Sequence, residues 1–181
     1  MIYQDTWING RLAQKGIRDC AGRYEVIKNF CLKFNEPFTV CDIGANMSYF
    51  GLRLIEDFGC SVIAFEFDQY EMRKKIINKN KTKNLMYLNR KISLPDIRIL
   101  NTCSHFDLVL ALSVMHHLPG DHLKWIEQLR KLGDNVIIEL ALSDSKRTAI
   151  RQGYNIPSNS TILGYGGSHL EKNFKRPIIL L

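Results

Sequence analysis

No stretch of this 181-residue chain approaches the roughly 20 consecutive apolar residues that a membrane-crossing helix needs. The first residues, Met1-Ile2-Tyr3-Gln4-Asp5, offer neither a basic start nor an apolar run, so no secretory signal is visible. The five cysteines (Cys20, Cys31, Cys41, Cys60 and Cys103) are scattered, odd in number and without a CxxC pair. This argues against a disulfide framework and for free thiols in a reducing cytoplasm. Cys41 and Cys60 sit beside apolar strand residues and read as small hydrophobes. No metal set is evident either: His116, His117 and His122 lack a fourth ligand. Internal repeats and low-complexity runs are missing, and no shift in composition marks a domain boundary.

What is present fits one domain spanning 1–181, with 45% apolar and 24% charged residues. The net charge of +7 is concentrated: residues 70–98 hold nine Lys or Arg against two acids, which accounts for the whole excess. Arg73, Lys74, Lys75, Lys79, Lys81 and Lys83 fall mostly on one expected helix and the loop after it. They form either a solvated helix face or a patch for an anionic partner such as nucleic acid, phosphoglycan or a membrane surface.

The chain then alternates between two periods. Residues 1–17 read as a loop or short arm. Residues 18–34 read as a helix, with Ala21, Tyr24, Ile27 and Cys31 on one stripe, stopped by Asn35-Glu36-Pro37. The first strand spans 38–43. A helix at 50–58 puts Leu54, Ile55 and Phe58 on one face, and Gly59 ends it. Strand 61–66 is near-continuously apolar, as suits a strand covered on both faces. Asp68 is placed to cap a helix over 69–80 anchored by Met72 and Ile76. A short strand follows at 85–88, and Pro95 leaves 90–104 ambiguous. Strand 106–112, loop 113–120, a helix from Asp121 to about 132 with Leu123, Ile126 and Leu129 inward, and strand 135–141 complete the core. Such alternation means βαβ units and a parallel sheet. Strands at 161–165 and 176–181 have no helix between them and should pair antiparallel. The whole is an α/β, doubly wound, mainly parallel seven-stranded sheet. It divides into an arm and helix (1–37), a core (38–141) and a tail (142–181).

The chemistry centres on Val40-Cys41-Asp42-Ile43-Gly44-Ala45-Asn46-Met47-Ser48, a strand, an acid, a glycine turn and a helix start. That is the layout of a nucleotide-type cofactor site. Gly44 allows a tight turn, and the helix start offers free N–H groups. Glu66 follows Gly44 by 22 residues at the end of the second strand, where a carboxylate suits both hydroxyls of an adenosine ribose. Pointing to solvent is its plainer alternative. A dinucleotide site wants further glycines, and Asn46 and Ser48 stand in their places, which weakens a pyrophosphate reading. Asp42 instead suits a cofactor with positive charge, such as S-adenosyl-L-methionine with its sulfonium and ammonium.

At these residues the sequence resembles the class I S-adenosylmethionine-dependent methyltransferases. Asp42-Ile43-Gly44-Ala45-Asn46-Met47-Ser48 looks like their first motif and Val62-Ile63-Ala64-Phe65-Glu66 like their second. Phe106-Asp107-Leu108-Val109-Leu110-Ala111-Leu112-Ser113 is similar to their fourth-strand motif, and the terminal strand pair to their antiparallel hairpin. The resemblance implies a Rossmann-like fold and a cofactor held by Asp42, Gly44, Asn46, Glu66, Phe67, Leu112 and Ser113. The family often has an acid after the third strand for the adenine amino group. Leu88-Asn89-Arg90-Lys91-Ile92-Ser93 has none, which leaves that task to backbone groups near Lys91 and Ile92. A closer resemblance is to the methyltransferase half of bacterial O-antigen chain-terminating methyltransferase–kinases. It rests on Arg23, Gly44, Glu66, Leu112-Ser113-Val114-Met115-His116-His117, Gly164-Tyr165-Gly166-Gly167-Ser168-His169-Leu170 and Arg176-Pro177. By that similarity Arg23 and Tyr3 would touch the cofactor carboxylate, and the acceptor would be a phosphorylated glycan end.

Methyl transfer chiefly needs alignment. A hydroxyl acceptor also benefits from a base, and His117, then His116, follow the fourth strand where ligands of such sheets sit. A loop-fixing or packing role for the pair is the alternative. A phosphate acceptor needs cationic clamps instead, for which Arg147, Arg151, Lys175 and Arg176 are candidates. The reading is thus a methyltransferase for a small-molecule or glycan acceptor. The alternatives are a nucleic-acid methyltransferase, which lacks the Asn/Asp-Pro-Pro-Tyr/Phe type of signature here, and a non-catalytic binding module.

Overall fold

Strand and helix follow one another along the chain because its apolar period switches repeatedly between two and 3.6. The computed structural model describes residues 2–140, 156–167 and 175–181. In order, the elements are β1 (Thr6–Ile8), β2 (Arg11–Gln14), α1 (Cys20–Cys31), β3 (Thr39–Ile43), α2 (Tyr49–Phe58), β4 (Ser61–Glu66), α3 (Tyr70–Asn80) and β5 (Leu85–Asn89). Then come α4 (Leu94–Cys103), β6 (Leu108–Leu112), α5 (His122–Leu132), β7 (Val136–Glu139), β8 (Thr161–Gly167) and β9 (Lys175–Leu180). A 3-10 turn, Met115–His117, lies between β6 and α5.

One seven-stranded sheet runs β5-β4-β3-β6-β7-β9-β8. Its first five strands in that order are parallel, and β9 is antiparallel to both β7 and β8. This is the doubly wound sheet with a C-terminal antiparallel hairpin. Alternation along β3 sends Cys41 and Ile43 to one face, where they meet Ile97 of α4 and Trp125, Ile126 and Leu129 of α5. Val40 points to the other face, among Tyr24 and Ile27 of α1 and Phe50 and Leu54 of α2. All five cysteines are free, and burial pushes the Cys31 and Cys60 thiols up to about 12. No helix among the described residues is long and apolar enough to cross a membrane.

Several local expectations need correction. The arm contains a hairpin, β1 with β2, turned by Asn9 and Gly10 at φ +49° and +76°. Asn-Gly is the pair that a tight hairpin turn of this hand requires. The segment 90–104 contains α4, because Pro95 occupies the first turn of that helix, where its missing N–H costs nothing. The Ser93 hydroxyl accepts from the Asp96 N–H, and the Asp96 carboxylate accepts from the Ser93 N–H, a complete capping box. Asp68 does not cap α3. Gln69 holds the cap position at φ +53°, and the Asp68 carboxylate accepts from the Gln69 N–H at 2.8 Å.

Three inward positions are also displaced. Met72 is exposed and its neighbour Arg73 is buried. Leu123 is exposed, while Trp125 and Leu132 join Ile126 and Leu129 inside. Ala21 is exposed and Cys20 faces the core, with Asp19 rather than Arg18 starting α1 by accepting from the Gly22 N–H. Arg147, Arg151, Ser168, His169, Leu170 and the expected end of the fifth strand at 141 lie outside the described residues.

Candidate functional site

The chain leaves β3 towards β4 on one side and returns to β6 on the other, which opens a crevice at the strands' carboxyl ends. A cavity of about 480 Å³ lies there. Its floor is the turn after β3. Gly44 has φ +73°, and a Cβ on it would meet Val114 Cγ2 at 2.6 Å, so both backbone and space demand glycine. Gly44 and Ala45 N–H donate to the Phe65 carbonyl at 2.9 and 3.1 Å, which ties the turn to the end of β4. Asn46 and Ser48 adopt φ +49° and +57° without being glycine. Asparagine tolerates this left-handed region better than most residues.

The N-terminus of α2 is already occupied. Gln4, buried, accepts from the Met47 N–H at 2.9 Å and the Tyr49 N–H at 3.1 Å. Helix-start amides free for a pyrophosphate, as the turn alone implies, are therefore partly taken by a neutral side chain. Sequence reasoning missed Gln4, which carries no motif signal.

At the end of β4, the Glu66 carboxylate turns into the site rather than to bulk solvent. One oxygen accepts from the Asn46 N–H at 3.1 Å, the other from the Phe67 and Asp68 N–H groups at 2.7 and 3.1 Å. Phe67, 57% exposed, lines the cavity, and Lys91 Nζ sits 5.4 Å from its ring centroid. Ile92 is buried in the wall. The acid nearest in sequence after β5, Asp96, is engaged by its cap and by Arg90.

Asp42 does not line the cavity. It is 2% exposed, beneath the floor, and its Oδ2 has no hydrogen-bond partner among the described residues. Burial pushes this carboxyl up to about 7, and nearby Glu66 adds to the shift while Arg23 opposes it. Such a group gains from any ligand that brings positive charge close.

The other end of the cavity is cationic below the surface. Ser113, at φ +54°, follows β6 and donates to the Glu139 carboxylate at the end of β7. Arg18 Nη2 donates to Ser113 Oγ at 3.0 Å and to Glu139 at 2.9 Å, and Arg23 Nη1 donates to Glu139 at 2.9 Å. Arg176 Nη1 donates to Ser113 Oγ at 3.3 Å, and Arg176 Nε is buried without a described partner. Among the described residues, Arg18 and Arg23 thus share the buried Glu139 carboxylate, and Arg176 joins them through Ser113. Of the expected clamps, Arg176 is buried and Lys175 is exposed. Arg18 and Glu139 were invisible as a pair, being 121 residues apart.

His117 is exposed and lines the cavity. His116 does not line it. Its ring lies 3.8 Å from that of His117, centroid to centroid, and burial, then His117, Arg176 and Arg18, push it down to about 4. Tyr3, Arg23, Leu112 and Ser113 line the cavity together with Gly44, Asn46 and Glu66. The expected residues therefore converge, except Asp42 below the floor and His116 behind His117.

No protein-family model and no curated protein sequence matches the chain. Solved structures do. The bifunctional kinase-methyltransferase WbdD aligns with a TM-score of 0.69 at 21% identity, over 92% of this chain and 40% of that one. A WbdD co-crystal with the kinase inhibitor LY294002 gives 0.69 at 22% identity, over 92% and 42%. The N-terminal domain of EvdMO1, solved in the presence of SAH and D-fucose, gives 0.60 at 13%, over 99% and 89%. The chain has the class I methyltransferase fold and spans about two fifths of the WbdD chains it matches.

Proposed function

We propose that this chain is an S-adenosyl-L-methionine-dependent methyltransferase acting on oxygen of a small-molecule or glycan acceptor. The observation that carries the proposal is the Asp42 carboxyl, whose buried Oδ2 has no partner among the described residues, beneath a cavity rimmed by Glu66. The residues fit such a cofactor. Asp42 favours its positive end, and Glu66, which already accepts three backbone N–H bonds, keeps a lone pair on Oε2 for a ribose hydroxyl. Phe67 and Ile92 offer apolar walls for adenine, with Lys91 beside them, and Gly44 and Asn46 let it approach the backbone. Arg23 and Tyr3 answer its carboxylate, and Leu112 and Ser113 close the end towards the acceptor. When bound there, the cofactor supplies a methyl group on a cationic sulfur.

The chain's own contribution is orientation and proton handling. His117 faces the cavity and takes the proton of an acceptor hydroxyl. His116, held neutral at about 4, adds no positive charge beside it and leaves His117 free to act as the base. A second reading has its own observation. Arg176, which donates to Ser113 at the cavity and whose buried Nε has no described partner, favours an acceptor that carries its own negative charge, such as the phosphorylated glycan end implied by the resemblance. A phosphate oxygen needs no base. In the basic segment 70–98 Arg73 is turned inward and the other eight cations are exposed, so the nucleic-acid alternative is an outcome of the same test.

The test is transfer of labelled methyl to a panel of free sugars, sugar phosphates and nucleic acids, for the wild type and His117→Ala. A hydroxyl acceptor should show at least a tenfold slower turnover in His117→Ala. A phosphate acceptor should show no such loss. Transfer to nucleic acid alone, with binding that weakens steeply with salt, contradicts the proposal.

A further inference from the structure

Arg73 stands in a run of surface cations, yet it is completely buried while Lys74 and Lys75 are exposed. The side chain leaves α3 and reaches under the site. Its Nε donates to the Asn46 carbonyl, and its Nη1 makes a long hydrogen bond of 3.4 Å to the Glu66 carbonyl. Its guanidinium carbon lies 4.5 Å from the centroid of the Tyr87 ring, and the Tyr87 hydroxyl donates to the same Glu66 carbonyl at 2.7 Å. Asn46 is thereby held at both ends of its backbone: its carbonyl by Arg73, and its N–H by the Glu66 carboxylate at 3.1 Å.

This matters because position 46 is where a glycine would make the turn easy. Asn46 instead carries a side chain at φ +49°, a conformation that persists only where the surroundings impose it. Arg73 supplies that constraint from one side and Glu66 from the other. The planar fork of arginine can reach two carbonyls at once, which a lysine ammonium on its single stem cannot match in geometry. Few other described groups compete for it: Nη2 is buried without a described partner, and the charges acting on it are Glu66 and Asp68.

We propose that Arg73 is the positioning residue of the cofactor site, clamping the Asn46 turn against the end of β4 so that Glu66 presents its remaining Oε2 lone pair to the ribose. The assignment rests on the cofactor reading above and deepens it. Arg73 touches neither the cavity nor a reacting atom. It acts through Asn46 and Glu66, in place of the glycines that the turn lacks. A change at Arg73 should therefore weaken cofactor binding and leave turnover at saturating cofactor nearly intact.

Arg73→Met keeps length and apolar bulk, and Arg73→Lys keeps the charge. The first readout needs no ligand. Hydrogen exchange should speed up at least tenfold at the amides of the 44–48 turn in Arg73→Met, while the amides of β6 and α5 keep their protection. Unchanged exchange in the turn overturns the clamp, whatever the ligand is. The second readout is calorimetry with S-adenosylmethionine. Arg73→Met should raise the dissociation constant at least tenfold, with Arg73→Lys in between, and the cofactor KM should rise with kcat changed less than threefold. Combined with Glu66→Gln, Arg73→Met should cost little beyond Glu66→Gln alone, because both act through one carboxylate. Full additivity, or an equal fall in kcat, shows a general structural role and overturns the assignment. If exchange responds as stated and the wild type binds no cofactor, the clamp stands and the cofactor reading fails.

Discussion

Asp42 shows how one residue sets a testable pH dependence. Its carboxyl sits at about 7 in the folded chain against 3.8 for the ordinary group. Between those values the unfolded chain has lost this proton while the folded chain still holds it. The folded state therefore binds more protons, and this residue's contribution to stability falls as pH rises from about 4 to about 7. Above that window the penalty is constant. Asp42→Asn removes it, so the ligand-free melting temperature should rise relative to wild type at pH 8, and by less at pH 5. Thermal scans at the two pH values check this, and an unchanged melting temperature at pH 8 contradicts it. At this scale the sequence was legible for the placement of residues that sit in a motif, such as Gly44 in its turn and Glu66 at the cavity. It was misleading for Arg73 and Arg176. A charged residue reads as surface unless its partners are known, and those partners, Asn46, Glu66 and Ser113, are brought near by the fold alone.

Elements were legible in proportion to their length and apolar character. Ser61–Glu66 reads directly as a strand because both its faces are covered. The β1–β2 hairpin did not, since its strands have three and four residues and β2 is exposed throughout. Its Asn9-Gly10 turn was the available signal. In α4, Pro95 reads as a breaker only if the capping box around it goes unnoticed; Ser93 and Asp96 turn the same proline into a helix start. Ser93→Ala should thus cost about 1 kcal/mol, a fall of roughly 2–4 °C in melting temperature for a chain of this size. Differential scanning calorimetry reads it directly, and no shift would show that α4 is held by packing alone. Because Ile92 sits just before this cap and lines the cavity, the same variant should also loosen that part of the cavity wall.

At the level of the molecule, the parallel character of the sheet followed from the alternation of strand and helix, and the antiparallel end from the lack of a helix between the last two strands. The polar network that joins its parts did not. Glu139 on β7 links Arg18 and Arg23 of the N-terminal region to Ser113 after β6, and Arg176 on β9 joins through Ser113. Directly bonded partners in this network lie up to 121 positions apart in sequence. Removing this carboxylate takes from the buried Arg18 and Arg23 the acceptor that they share. Glu139→Ala should destabilise the chain by about 3–5 kcal/mol, on the order of 10 °C in melting temperature. A loss under about 1 kcal/mol would mean that solvent or an anion already screens the cluster.

The central claim is that the cavity over Gly44 and Glu66 binds S-adenosyl-L-methionine. Isothermal titration calorimetry of the cofactor into the wild type and Glu66→Ala tests it most directly. A single saturable site in the wild type is expected, weakened at least tenfold in Glu66→Ala because the ribose hydroxyls lose their acceptor. No binding at millimolar cofactor, or equal affinity in the variant, would contradict it.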